Sequence, residues 1–340
     1  MTKKLIRVLQ GEALWPPPIW LMRQAGRYLP EYRALRASTG DFITCCTTPE
    51  VAAEITLQPI RRFGMDAAIL FSDILILPWA MGYGLRFEAG EGPVLPQLQG
   101  LADIEALDLE RLRGAIEPVL ETVRLVRQGL DQQTLIGFAG APFTVATYMV
   151  EGGGSKDHAR TRAMAHAEPR MFSRLIDRLT EATIVYLSAQ IEAGAEAVML
   201  FDTWAGVLSP YLFREYAIAP AKHIVSALKA RFPAIPVVGF PRMAGLMLDE
   251  YARSTGVDGV GMDTGVDPVL AAAKITPEVA LQGNLDPLAL LAGGEAMRRD
   301  TKAILAALRG RRHVFNLGHG VVPPTPVEHV AELVALVQGA

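Results

Sequence analysis

Four arginines crowd the stretch PIWLMRQAGRYLPEYRALR, residues 18–36: Arg23, Arg27, Arg33 and Arg36, with only Glu31 of opposite sign among them. Forked guanidinium donors at this density suit carboxylate or phosphate anions. The whole chain is mildly acidic, with 33 basic against 36 acidic residues and a net charge of −3. That balance argues against a broad basic face for nucleic acid, so any anion site has to be local. Taken alone, the patch fits equally well a solvated loop whose arginines pair with surface acids.

Other residues could share chemistry with it. Asp73 lies in AAILFSDILILPWAMG, where a carboxylate among apolar neighbours needs partners or takes up a proton. A plainer role is to cap the following turn. His319 stands between Gly318 and Gly320 in NLGHG, which the sequence reads as a backbone turn that exposes the ring, or as a histidine bonded to its own loop. Tyr148, in APFTVATYMVEGGGS, is either a functional hydroxyl or a packed aromatic. The Gly152–Gly154 run resembles a flexible lid more than a phosphate cradle, since no GK[ST] follows.

Several chemistries lack their residues. Of the seven lysines none closes an apolar run, which argues against a Schiff-base aldolase or a pyridoxal enzyme. The six histidines and two cysteines form neither CxxC nor HExxH, and no His-x-Cys pair occurs, so no metal site is expected. A GxGxxG dinucleotide fingerprint is absent.

These residues gain meaning from the elements that carry them. Short apolar runs without alternation recur at 18–24, 67–73, 134–142, 197–203, 236–242, 259–264, 279–286 and 313–320. Such runs read as parallel strands covered on both faces. Between them lie helical patterns, among them Pro49 to Phe63, Arg170 to Ala193 and Pro210 to Phe232. Eight strand–helix units predict an α/β fold, a single (β/α)8 TIM barrel over residues 1–340, with chemistry at the C-terminal ends of the strands. A doubly wound open sheet is the alternative, because periodicity cannot show closure. In the barrel, the residues that end the runs converge: Arg23 and Gln24, Ser72 and Asp73, Asp202 and Thr203, Arg242, Asp263, Asn284 and Asp286, and His319. The Gly- and Pro-rich segment 82–100 reads as an excursion near the mouth of that site. Adjacent Cys45 and Cys46, poorly placed to bridge each other, fit a reduced, cytoplasmic setting. Neither a signal peptide nor a membrane span is expected: the uncharged stretch 132–150 is broken by Gly and Pro.

Pro18 to Arg27 (PIWLMRQAGR) and Gly137 to Gly152 (GFAGAPFTVATYMVEG) closely resemble two signature stretches of the uroporphyrinogen decarboxylase family. FSDIL, LFDTWAG, GNLDP and NLGHG match further landmarks, in order, across almost the whole chain. The resemblance implies a single-domain (β/α)8 barrel, usually a homodimer, working without metal or organic cofactor in haem and tetrapyrrole synthesis. Its substrate would be uroporphyrinogen, a cyclic tetrapyrrole bearing four acetates and four propionates, whose acetates become methyl groups. Carried over by motif, Asp73 is the catalytic residue. Arg23, Gln24, Ala25, Gly26 and Arg27 bind substrate, together with Asp73, Tyr148, Thr203 and His319. The family commonly has Ser where this chain has Thr203, which keeps the hydroxyl and adds a methyl. Arg23, Tyr148 and a bound water are all candidates for the proton donor. A corrinoid-linked zinc methyltransferase of the same architecture is the runner-up, and a tetrapyrrole-binding protein without catalysis a third reading.

Overall fold

The structure, a computed structural model, describes residues 2–88 and 92–340, the Glu88 side chain excepted. The apolar runs become buried strands. In β4 (Thr134–Gly140) every residue is buried, as in β6 (Val237–Pro241), β7 (Gly259–Gly261) and β8 (Ala280–Gln282). With β1 (Ala67–Ile69), β5 (Ala197–Asp202) and β9 (His313–Val314) they form one parallel sheet in the order β1-β4-β5-β6-β7-β8-β9. The numbers β2 (Arg86–Glu88) and β3 (Gly92–Val94) belong to a separate antiparallel hairpin inside the 82–100 excursion, of which residues 89–91 lie outside the described residues.

The run expected as the first strand, 18–24, makes only a single parallel bridge, Ile19 to Phe315. Pro17 and Pro18 have no N–H for a ladder, and from Leu21 the chain turns. Even so, this short piece closes the barrel. On one side the Phe315 N–H donates to Pro18 O at 2.8 Å and Trp20 N–H to Phe315 O at 3.3 Å. On the other, the Asp66 N–H donates to Ile19 O at 2.9 Å, and the Asp66 carboxylate accepts Ile19 N–H at 2.9 Å. The sheet is therefore a closed (β/α)8 barrel. Its interior is packed rather than hollow: the fully buried Trp20 donates its indole N–H to Gln282 of β8 at 3.1 Å, and Gln282 reaches Met199 of β5.

The helical patterns form the outer ring. Pro49–Phe63 is helical between the expected bounds, with Pro at its start and Gly64 in the left-handed region at its end. The helix expected from Arg170 begins one residue earlier, Pro169–Ala193. The segment expected as one helix from Pro210 begins as Pro210–Phe213, widens into a π-type turn at Arg214–Ile218 and continues as Ala219–Arg231.

Helix Pro169–Ala193 also repairs the sheet where β1 leaves it. After Leu70, whose N–H still reaches Ile136 O at 3.0 Å, the chain departs toward Ser72 and Asp73, and β4 loses its neighbour. The buried Gln190 carboxamide takes its place, accepting Phe138 N–H and donating to Phe138 O, each at 2.9 Å. Replacing Gln190 by Leu leaves both groups buried and unpaired. We expect a loss of about 2–4 kcal/mol in unfolding free energy, read as a lower urea midpoint at unchanged slope. An unaltered midpoint would show that Phe138 finds other partners.

Candidate active site

The C-terminal ends of β1, β5, β6, β7 and β9 and the turn after Ile19 bring the candidate residues to one mouth of the barrel. The turn comes first. Gln24 N–H closes it onto Leu21 O at 2.9 Å, and Arg23 takes a φ of 60°, the left-handed region that a residue with a side chain rarely enters. Its bracing is specific. The buried Gln24 carboxamide accepts Leu21 N–H and donates to Ala67 O, both at 3.0 Å, while Asn316 accepts Met22 N–H at 2.9 Å. Gln24 therefore spends its side chain on the turn that aims Arg23. Ala25 and Gly26 follow half-buried, and the next helix, Pro30–Thr39, starts only at Pro30.

The four arginines divide into two kinds. Arg33 donates to Arg27 O at 2.8 Å and Tyr28 O at 3.1 Å, and Arg36 donates to Gly40 O, so both are tied into their own loop. Glu31, the one acid in the patch, pairs with Arg62 at 2.7 Å instead. Arg23 and Arg27 are exposed, and their guanidiniums make no hydrogen bond or ion pair among the described residues. Unopposed guanidinium of this kind can bind an anion without first releasing a protein partner.

Asp73 does cap the next turn, since its Oδ1 accepts Leu75 N–H at 2.8 Å. That bond holds the carboxylate in place and leaves its other oxygen for the cleft. One edge of Asp73 reaches the cleft, yet protein surrounds it closely enough that burial pushes its carboxyl above the ordinary range, against the opposing pull of Leu75 N–H and Arg23. Burial likewise raises the half-buried Tyr148 phenol, which feels the Trp204 indole and the charges of Asp73 and Arg23. Tyr148 projects from helix Pro142–Glu151. Thr203 follows β5, half-buried, with no hydrogen bond from its hydroxyl among the described residues. Asp202, just before it, is buried and accepts a hydrogen bond from Thr144 Oγ1 at 2.6 Å, and burial pushes it up to about 7.

His319 completes the group. Burial lowers it to about 4, and Arg23 and Arg242 both add to the shift, so the ring is neutral and close to two cations. The flanking glycines serve close packing, and neither takes a positive φ. A Cβ on Gly320 would fall 2.3 Å from Arg23 Cδ, and one on Gly318 only 2.4 Å from Thr264 N. The Arg23 side chain lies directly on Gly320.

Two residues with no place in the sequence reading border this site. Trp204 Nε1 is buried without a well-formed hydrogen bond beside the Tyr148 hydroxyl, and the His158 ring packs on the indole with centroids 4.6 Å apart. His158 has both nitrogens buried and unpartnered and a φ of 52°. The nearby glycines Gly152 and Gly153 are strapped to the excursion, Leu95 N–H donating to Gly152 O at 3.0 Å and Val94 bridging Gly153. The one sequence cue was a histidine soon after a glycine run; the contact with Trp204 is tertiary. Among the described residues no three His, Cys, Asp or Glu side chains gather as a metal site would require, and no helix is long and apolar enough to cross a membrane.

A parallel α/β barrel whose mouth holds unopposed guanidinium, one exposed-edge carboxylate and neutral hydrogen-bonding groups is suited to an anionic ligand. The family model described as uroporphyrinogen decarboxylase (URO-D) matches residues 1–340, and the chain belongs to that family. A uroporphyrinogen decarboxylase of Granulibacter bethesdensis is 64% identical over 342 residues, covering 99% of each chain. One of Gluconacetobacter diazotrophicus is 58% identical, covering 99% of this chain and 98% of its own. Among solved structures, a methyltransferase from Methanosarcina mazei superposes with a TM-score of 0.82 over 100% of this chain and 99% of its own, at 22% identity, which speaks to the fold.

The electrostatics can be tested directly. His313 is also lowered to about 4, by burial alone apart from its bond to Gly283 O, and so serves as an internal control. Both histidines should titrate near pH 4 in imidazole NMR, and Arg23→Ala should raise His319 while leaving His313. Between pH 6.5 and about 4 the unfolded chain takes up protons that the folded chain refuses, so both withdraw stability as pH falls through that window. A His319 midpoint at 6.5 would contradict this arrangement.

Proposed function

We propose that the chain decarboxylates uroporphyrinogen, converting its four acetate side chains to methyl groups and giving coproporphyrinogen. The observation that carries this is the unopposed guanidinium of Arg23 beside the carboxylate of Asp73, with a second, Arg27, four residues on along the chain, in a chain 64% and 58% identical to two bacterial uroporphyrinogen decarboxylases. A polycarboxylate needs concentrated guanidinium even on an acidic protein. On this reading Arg23 and Arg27 grip the substrate's acidic arms. Tyr148, Thr203 and His319 hydrogen-bond it, and the Gln24–Gly26 turn supports Arg23. The methyltransferase reading rests on fold similarity alone.

The reaction follows from the substrate's own electronics. Loss of CO2 from an acetate leaves an electron pair that needs a sink. A pyrrole ring protonated on carbon is such a sink: the carbon–carbon bond breaks, its electrons neutralise the ring cation and CO2 leaves; a proton then adds to the exocyclic carbon to make the methyl group, and the ring carbon gives up its extra proton to restore the pyrrole. The net change at each acetate consumes one proton and releases one CO2. Asp73, facing the ring N–H groups, stabilises the cation. Those donors also favour its ionised form, offsetting the burial that raises it. At an effective dielectric of about 20 and roughly 4 Å, such a contact is worth about 4 kcal/mol, or about a thousandfold in rate. Arginine positioning and proton delivery supply the remainder.

The same reading makes residues 1–340 one domain with the active cleft at the strand C-termini, working as a cytoplasmic homodimer. Closure of the barrel by residues 18–20 against β9 and β1 favours the single domain.

Anaerobic incubation with uroporphyrinogen III, followed by chromatography of the carboxyl-depleted products, tests the activity. Asp73→Asn should lower kcat about a thousandfold with KM within a few-fold, whereas Arg27→Ala should raise KM about tenfold with a smaller change in kcat. Near-normal turnover by Asp73→Asn would remove the charge role. Sedimentation of the purified chain should give twice the monomer mass, and a monomer at assay concentration would refute the dimer.

A further inference from the structure

Arg242 follows β6, next to the chain segment that carries Thr203, and neither the family motifs nor the reading above gives it a role. Its backbone is fixed at three points. Arg242 N–H donates to Asp202 O at 3.1 Å, and Arg242 O accepts Gly206 N–H at 3.1 Å. The following Met243 is held at a φ of 59° by the Asp263 carboxylate, which accepts Met243 N–H at 2.7 Å and Gly265 N–H at 2.8 Å. The His319 loop rides on the same support, because Gly318 packs on the Asp263–Thr264 backbone. Asp263 thus locks the Arg242 turn and seats the loop that bears His319. The arrangement repeats the opposite rim: an arginine in a turn with a left-handed residue, braced by a buried polar side chain, there Gln24 and here Asp263.

The guanidinium at the end of this turn has nothing to hold. Arg242 is half-buried, and its guanidinium makes no hydrogen bond or ion pair among the described residues. A half-buried cation gives up part of its hydration, and without a partner that cost goes unreturned until an anion arrives. We propose that Arg242 is a further carboxylate-binding residue of this site, sharing the neighbourhood of His319 with Arg23 and gripping a second acidic arm of the substrate, with Asp263 as its positioning residue. The effect of both arginines on His319 agrees with this placement. The proposal deepens the functional reading above and rests on it for the identity of the carboxylates.

The test compares Arg242→Ala, Arg242→Lys and Asp263→Asn with Arg299→Ala. Arg299 is an exposed residue of the outer helix Gly294–Ala307, so this last variant controls for loss of one positive charge. Arg242→Ala should raise KM for uroporphyrinogen about tenfold with kcat within threefold. Arg242→Lys should recover part of the loss, since lysine keeps the charge without the fork. Asp263→Asn should raise KM less, and added to Arg242→Ala it should change little further, the signature of two residues acting as one unit. Arg242→Ala that behaves like wild type, or like Arg299→Ala, overturns the proposal. Binding of uroporphyrin, the stable oxidised macrocycle with the same eight carboxylates, is measured in parallel by fluorescence. If wild type releases no CO2 the functional reading fails, and the proposal then stands or falls on whether Arg242→Ala weakens uroporphyrin binding about tenfold.

Discussion

The site depends on a single turn held against its own preference. Arg23 occupies the left-handed region at a φ of 60° because Gln24, Leu21, Ala67 and Asn316 leave the turn no other course. Such a backbone costs on the order of 1–3 kcal/mol and persists only where its surroundings over-determine it. Those surroundings are the closure of the barrel itself. The residues that join β9 to β1 immediately precede the turn, so the barrel cannot close without presenting Arg23, nor Arg23 take its place without closure. One ten-residue segment, Pro18 to Arg27, thus serves architecture and chemistry together.

The electrostatic design is one of imbalance. On the outer surface several arginines are matched: Arg62 with Glu31, Arg124 with Glu117 and Glu121, Arg214 with Glu250. At the mouth they are not. Burial pushes Asp73 and Asp202 toward neutrality and keeps His319 uncharged, while Arg23, Arg27 and Arg242 remain cations without partners. The mouth therefore offers unpaired positive charge on a molecule whose net charge is −3. Field of that sign draws a polyanion in and costs nothing to undo, because no internal ion pair must break first. The same burial that raises Asp73 strengthens whatever it contacts once charge develops nearby, since fewer water dipoles compete.

The barrel was legible in the apolar runs because parallel strands buried on both faces leave no room for polar residues inside them. Seven runs became strands and the eighth a bridging segment, its ladder curtailed by Pro17, Pro18 and the turn at Leu21. Ends were overestimated: 67–73 is a strand only through Ile69, because Ser72 and Asp73 must leave the sheet to reach the cleft. Local pattern also foresaw the cap at Asp73, which turned out to be compatible with an open carboxylate oxygen. What it could not foresee were contacts between distant segments. The sequence places His319 between glycines and suggests a turn, whereas those positions are glycine because Arg23 and Thr264 occupy the space of a side chain. Nor does GGGSKDH announce that His158 will lie on Trp204.

Fold and reaction separate cleanly in this architecture. A methyltransferase shares the fold across the full chain at 22% identity, so the barrel by itself leaves the chemistry open. What narrows it is the small set of side chains at the strand ends, and these are fixed by interactions that run sideways between neighbouring loops. Gln24 reaches Ala67, Asn316 reaches Met22, and Asp263 reaches Met243. Each such brace commits hydrogen bonds of a buried polar side chain to the orientation of a charged one that is left unbonded. A barrel that loses a brace keeps its sheet and its helices and still loses the aim of its arginines. For that reason the residues most informative about function here include buried ones that touch no substrate.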